Sequence, residues 1–332
     1  MMLRPALLLA LLGHLCRTLA QDAHFTQFYA APTYLSPAFA GTGNQTRFAL
    51  QYRDQWPSIP GAFISSNMAM DHYINALNSG IGLLVSHDRA GSGALRYTSI
   101  GAQYAYELRL KHKVYLRPAL QYAYVNHAVD WSRLVFGDQL ARGGNVESFE
   151  GFTQRSTRYS DISAGLLYFT PKCWLGVGLH HLNRPNQSLT TRESDVPRKL
   201  SVHGGYRFKV VTPLIKKNPT SIIAAFNYRA QGRSDQLDLG ACIERDPVFA
   251  GLWYRGLPLK AHAPGTPNND AVAVVIGFKV NDWRFGYSYD LTISRLAANT
   301  GGAHEITMVY ELANAQRKKS MAKRRVVPCA KF

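Results

Sequence analysis

The sequence predicts an all-β protein, a transmembrane antiparallel β-barrel of about fourteen strands, and three observations predict it. From residue 46 onward, runs of about nine to thirteen residues alternate apolar and polar side chains, which is the length and period of a tilted membrane-crossing strand. The connections between runs sort by parity, as they do in barrels with short periplasmic turns and longer external loops. No apolar stretch reaches the roughly 18 residues that a membrane-crossing helix needs. Hydrocarbon offers no hydrogen bonds, so crossing strands must pair every backbone group, and only closure removes the sheet's edges.

The elements follow in chain order. Residues 1–20 read as a cleavable signal peptide. Arg4 supplies the positive start, residues 6–12 the apolar centre, and Thr18 and Ala20 the small residues before a cut at Gln21. Cys16 follows Leu15, where a lipoprotein site needs a small residue. Residues 21–45 form an N-terminal arm. Its aromatics Phe25, Phe28, Tyr29 and Phe39 have no clean period, and Pro32 and Pro37 oppose helix and central strand alike. Two readings stay open: the arm folds into the lumen as a plug, or it packs as a periplasmic flap.

The barrel spans residues 46–312. Its strands fall at 46–56, 62–73, 79–88, 95–108, 113–126, 159–170, 174–183, 199–211, 219–231, 235–244, 247–256, 270–280, 283–291 and 302–312. In the first, Phe48, Leu50 and Tyr52 oppose Arg47, Gln51 and Arg53. In the eighth, Leu200, Val202, Tyr206 and Phe208 oppose Ser201, His203, Arg207 and Lys209. The apolar set faces lipid and the polar set the lumen. The long connections, 127–158, 184–198, 257–269 and 292–301, are all odd-numbered, and every even-numbered one is short. Trp56, Tyr73, Tyr124, Trp131, Trp174, Trp253 and Trp283 suit the two interfacial girdles. Pro118 removes a ladder donor and predicts a bulge or an early end in the fifth strand. His180 and His181 are neighbours and are expected on opposite faces.

Residues 313–332 form a basic tail on the periplasmic side by parity. It carries Arg317, Lys318, Lys319, Lys323, Arg324 and Arg325 and ends in Pro328, Cys329 and Phe332. A basic run is ordinarily a solvated tail, but the apolar cluster after it marks a candidate docking peptide for a periplasmic partner. Both chain ends are then periplasmic and the localisation is the outer membrane.

The net charge of +17 fits a basic lumen and tail in an exported chain, and nucleic acid is not expected as a partner. Cys173, Cys242 and Cys329 lack metal spacing, and three thiols permit at most one internal bridge. No GxxxxGK[ST], HExxH or GxSxG motif is present, so no enzyme, metal or cofactor is expected. Asp54, Asp88, Asp130 and Asp138 lie near strand ends beside Arg53, Arg89 and Arg133. With Trp56 and Trp131 they read as structural anchors of the barrel mouth.

Several segments resemble the PorP/SprF family of type IX secretion and gliding-motility outer-membrane proteins. The opening Gln21-Asp22…Phe25-Thr26-Gln27-Phe28, then Ser36-Pro37-Ala38-Phe39-Ala40-Gly41, is similar to the family's start, although Ser36 stands where the family has Asn. Tyr52-Arg53-Asp54-Gln55-Trp56-Pro57-Ser58-Ile59-Pro60-Gly61-Ala62-Phe63 looks like its most specific signature. The segments at 80–91, 116–121, 130–132 and 136–139 continue the likeness. The finish Pro328-Cys329-Ala330-Lys331-Phe332 resembles a Cys-Pro-x-Phe ending, with Ala330 in place of Pro. The resemblance implies a non-catalytic adaptor or anchor between periplasmic ring and lipoprotein components and cargo bearing C-terminal sorting domains. A passive pore for hydrophobic or anionic small molecules is the alternative.

Overall fold

The computed structural model describes residues 22–43, 46–91, 95–143, 148–149, 155–190, 193–210, 220–258, 260, 268–294, 300–312 and 327–328. The signal segment lies outside the described residues. So do Arg317, Lys318, Lys319, Lys323, Arg324, Arg325, Cys329 and Phe332.

Fifteen strand segments make one sheet: β1 (Arg47–Gln55), β2 (Phe63–Ile74), β3 (Ser79–Ala90), β4 (Leu95–Tyr106), β5 (Leu108–Lys111), β6 (Val114–Ala128), β7 (Ser156–Phe169), β8 (Cys173–His180), β9 (Lys199–Val210), β10 (Thr220–Gln231), β11 (Ser234–Arg245), β12 (Val248–Leu257), β13 (Asn268–Val280), β14 (Trp283–Thr292) and β15 (Ala303–Glu311). Every pairing is antiparallel between neighbours, and β1 pairs with β15, which closes the ring. β4 and β5 both pair with β6 and form two halves of one stave, so the barrel has fourteen staves. Among the described residues no helix is long and apolar enough to cross a membrane.

Pleating sets the two faces. Phe48, Leu50 and Tyr52 are exposed on the outside of β1, while Ala49, Gln51 and Arg53 are buried inside. Met68, Leu120, Leu252, Val274 and Ile306 lie on the same outer belt. The inner wall is polar, with Asn67, Gln103, Gln121, Ser201, His203, Asn227 and Thr307 all buried.

Three local expectations are corrected. β6 neither bulges nor ends at Pro118, which pairs in register with Leu166. The cost falls on the facing stave, where the ladder lapses at Glu107 between β4 and β5 and resumes in the same register. On its other side Glu107 continues the register of the β3–β4 ladder, its N–H donating to Asn78 O at 2.8 Å. Tyr73, Trp174 and Trp253 are not girdle residues but point inward and are buried. Trp253 faces Gly240 across the β11–β12 ladder, and a Cβ there would lie 2.4 Å from the indole. His180 and His181 share the lumen, because His181 has a φ of 58° and so breaks the alternation just past the end of β8.

The strand ends joined by the long connections, 129–155, 181–198, 258–267 and 293–302, lie at one end of the barrel, here called the long-loop end. The turns at 75–78, 112–113, 170–172, 246–247 and 281–282 mark the opposite, short-turn end. Arg47 and Glu311 are register partners at that end, so β1 starts and β15 finishes there.

Candidate functional site

Residues 22–43 run down the inside of the barrel. A one-turn helix, α1 (Pro32–Leu35), and a 3-10 turn (Pro37–Phe39) are their only regular elements, each begun by a proline at its first position. Such a short segment has few internal hydrogen bonds, so the wall must satisfy its backbone. The Thr26 and Gln27 N–H groups donate to Glu305 at 2.7 and 2.9 Å. Gln51 donates to Gln27 O at 3.0 Å and Gln103 to Thr33 O at 2.9 Å. Ser201 donates to Leu35 O at 3.3 Å. Arg117 donates to Ala38 O and Ala40 O, and the Gly41 N–H donates to Asp71 at 2.8 Å. Gly80 is required at this last crossing, since a Cβ there would meet Ala40 O at 1.9 Å.

Phe25, Phe28, Tyr29 and Phe39 are all buried. Phe28 meets Trp253 edge-on at 5.1 Å, and Tyr29 stacks on the same indole at 5.6 Å. Phe39 packs against His203 at 5.2 Å, and Phe25 against Tyr34 at 5.2 Å.

Two to four residues in from the long-loop ends of the strands, the arm is gripped by a charged cluster. Asp290 receives Arg53 at 2.8 Å, Arg255 at 2.7 Å and the Thr26 hydroxyl at 2.7 Å. Asp238 receives Arg255 at 2.9 Å and Arg229 at 2.7 Å, and Arg53 reaches Glu305 at 3.3 Å. Three arginines thus face three carboxylates, from β1, β10, β11, β12, β14 and β15. Thr26 is the arm's entry into it, since its hydroxyl also accepts from Arg53 and Arg255, both at 2.8 Å. Removing charges from water is costly, and full mutual pairing offsets the cost.

A second cluster holds the arm's upper end. Asp22 accepts Lys199 at 2.7 Å and His181 Nε2 at 3.0 Å, while His181 Nδ1 lies 3.0 Å from Asp161. Burial opposes the imidazolium, but Asp22 and Asp161 outweigh it and hold His181 up at about 9. A raised folded value means that this contribution is complete below about 6.5 and is lost as pH rises through about 9. Titration of the His181 ring by NMR in detergent is expected to give a midpoint well above that of free histidine. Asp22→Asn is expected to lower it; no change would contradict the contact.

Above the arm, at the long-loop end, lies a cavity of about 460 Å³. Asp22, His24, Phe25 and Tyr34 floor it. Its side is the wall of β2 to β7, where Ser86, Ser99 and Gln121 are too small to fill the lumen as Arg53, Arg229 and Arg255 do on the other side. The cavity stops at the arm. Among the described residues no three His, Cys, Asp or Glu side chains gather as metal ligands.

The expected mouth anchors are dispersed by the pleat. Arg53 points inward and pairs with Asp290 and Glu305, whereas Asp54 takes the outer parity. Asp88 accepts from Ser65, and its neighbour Arg89 is exposed on the other face. Asp130 does pair with Arg133, at 3.1 Å. In the same loop Trp131 lies 6.4 Å from Phe136. Asp138 accepts the Phe149 N–H at 2.7 Å, Ser148 at 2.8 Å and Arg142 at 2.6 Å, which hold its carboxyl down at about 2. Trp56 starts the first long-end connection with a φ of 61°, donating its N–H to Gly302 O at 2.8 Å. Sequence reasoning missed Asp290, Glu305, Asp238, Arg229 and Arg255. Their only signal was a polar residue at an inward position.

The tail's two described residues enter the lumen from the short-turn end. Val327 is buried in the inner apolar cluster, and Pro328 O accepts from Arg207 at 3.3 Å.

Fold and site together define a closed outer-membrane β-barrel whose lumen is occupied by its own N-terminal segment. The family model described as type IX secretion system membrane protein PorP/SprF matches residues 18–310, and the chain belongs to that family. No curated protein matches the sequence. Solved barrels are similar in fold only. Omp33 of Acinetobacter baumannii has a TM-score of 0.45 and 8% identity, over 81% of this chain and 100% of that one. The toluene transporter TbuX of Ralstonia pickettii has 0.46 and 11%, over 86% and 94%. The toluene transporter TodX of P. putida has 0.45 and 9%, over 84% and 93%.

Proposed function

We propose that this barrel is a non-catalytic adaptor or anchor of the type IX secretion and gliding machinery. It links periplasmic ring and lipoprotein partners to secreted or surface cargo that bears C-terminal sorting domains. The arm is a plug in this reading, which leaves the segment after β15 on the periplasmic side and the arm's first described residue, Asp22, inside the lumen toward the long-loop end, against the expectation of two periplasmic ends. The observation that carries it is the filling of the lumen. A pore needs a continuous aqueous path, whereas here three arginines and three carboxylates fix a segment of the chain across it. An adaptor needs a rigid barrel with partner surfaces at its two ends, and the long loops and the basic segment after β15 are suited to those roles.

The cavity of about 460 Å³ favours a second reading, a passive pore for hydrophobic or anionic small molecules whose plug moves. Affinity isolation from detergent-solubilised outer membranes separates the two. The adaptor reading expects ring lipoproteins or sorting-domain cargo to come with the full chain and to be lost when residues 313–332 are removed. A barrel recovered without protein partners would turn the assignment to the pore.

A further inference from the structure

We propose that the chamber above the arm is a binding site for a small organic ammonium ion, held by Asp88 among aromatic side chains. The case starts from the pleat. Ser65, Asp88, Tyr97 and His127 are register partners in one row across β2, β3, β4 and β6, and all four line the cavity. One row deeper come Ser86, Ser99 and Val125, with Tyr159 beside them on β7. Short side chains beneath longer ones leave a hollow in the wall, and it forms part of the cavity of about 460 Å³. That volume suits a small molecule.

The charges that line the chamber decide what it takes. Asp22 and Asp161 are engaged by Lys199 and His181, two carboxylates against two cations. The cluster below is balanced likewise, three arginines against three carboxylates. Asp88 is left over. Among the described residues its hydrogen-bond donor is the Ser65 hydroxyl, and no basic side chain pairs with it. Arg89 and Arg96, the chain neighbours of Asp88 and Tyr97, are exposed on the other face. One uncompensated negative charge therefore lines the chamber of a chain whose net charge is +17. Such a site attracts a monocation and repels an anion.

Aromatic rings complete it. Phe25 and Tyr34 meet edge-on at 5.2 Å in the floor, and Trp56 and Phe63 at 5.6 Å at the rim. Ring faces attract cations, and one already does so here, since Lys199 Nζ lies 5.4 Å from the Tyr34 ring centre. Acceptors for N–H groups are also present. The Tyr97 and Tyr159 hydroxyls have no protein partner among the described residues, and His24 Nε2 is a buried atom without one. Burial, then Arg255, push His24 well below the usual histidine range, so its ring is neutral. Several acceptors around one carboxylate favour a primary ammonium, which carries three N–H groups, over a quaternary one, which carries none. The arm closes the chamber toward the short-turn end, so the site stands whether the barrel is an adaptor or a pore.

Calorimetric binding of 2-phenylethylamine, 2-phenylethanol and phenylacetate to the full chain in detergent tests this. At about pH 8 the carboxylates are ionised and the amine is charged. The three probes share a ring and differ in charge. The amine is expected to bind, with the alcohol and the carboxylate weaker by about tenfold or more. Asp88→Asn keeps an acceptor for Ser65; there the amine is expected to lose about tenfold and the alcohol to be unchanged. Equal binding of amine and alcohol, tighter binding of phenylacetate, or no binding of the amine in the millimolar range would overturn the proposal. So would a preference for the amine that survives in Asp88→Asn. The comparison of probes on the wild-type chain decides the matter even if the variant fails to fold.

Discussion

Replacing Asp290 with alanine is expected to destabilise the barrel by about 3–5 kcal/mol and to release the arm from the wall. The size of the effect follows from what is left behind. Asp290 is the shared acceptor of Arg53, Arg255 and Thr26, and its side chain is 3% exposed. Without it two guanidiniums remain in a dry site with one carboxylate partner each, Glu305 for Arg53 and Asp238 for Arg255. Losing one partner from a buried ion pair costs far more than the pair itself contributes. Leu252→Ala on the outer belt removes an exposed side chain and orphans no charge, so it serves as the control. Two readouts check the prediction: the temperature at which the folded band is lost on heated gels, and protease cleavage within residues 22–43. Asp290→Ala is expected to shift both, and an unchanged variant would show that the cluster does not hold the arm.

Much of this architecture was legible in the sequence because a strand with one face in lipid has a period of two and needs no distant information. The strands read from the sequence lie close to the observed ones, and the fourteen staves and the parity of the connections follow from the same pattern. Errors arose where a single residue departs from the pleat and where an aromatic's own parity was passed over. The positive φ of His181 turns its ring to the same side as that of His180. Trp253 lies in the middle of β12 with the inward parity of Arg255, and Gly240 opposite leaves the room it needs. Pro118 shows the reverse. Its missing donor was legible, but the irregularity appears on the facing stave, which no local reading of β6 locates.

The grip on the arm was not legible at all. Arg53 sits beside Asp54 in sequence, and proximity suggested a local pair. Alternation sends the two side chains to opposite faces, and Arg53 finds its carboxylates 237 and 252 residues away. The Thr26 and Gln27 contacts with Glu305 span 279 and 278 residues. An arm without periodicity offers nothing to match against the wall, so plug and flap were indistinguishable before the register of every strand was known.

Removing the arm is the second large effect, and it tests the central claim that the barrel is shut by its own chain. Deleting residues 22–42 withdraws Phe25, Phe28, Tyr29 and Phe39 from the lumen and leaves Glu305, Asp71 and Arg117 to be solvated. Water satisfies such groups once the space is wet, so the fourteen-stave ring, whose pairings do not involve the arm, is expected to persist. Single-channel recording in planar bilayers, comparing the full chain with the deletion, is the most direct measurement. The full chain is expected to be silent and the deletion to conduct in stable ohmic steps. Equal conductance from both would contradict the claim and make the arm a bystander in an open pore.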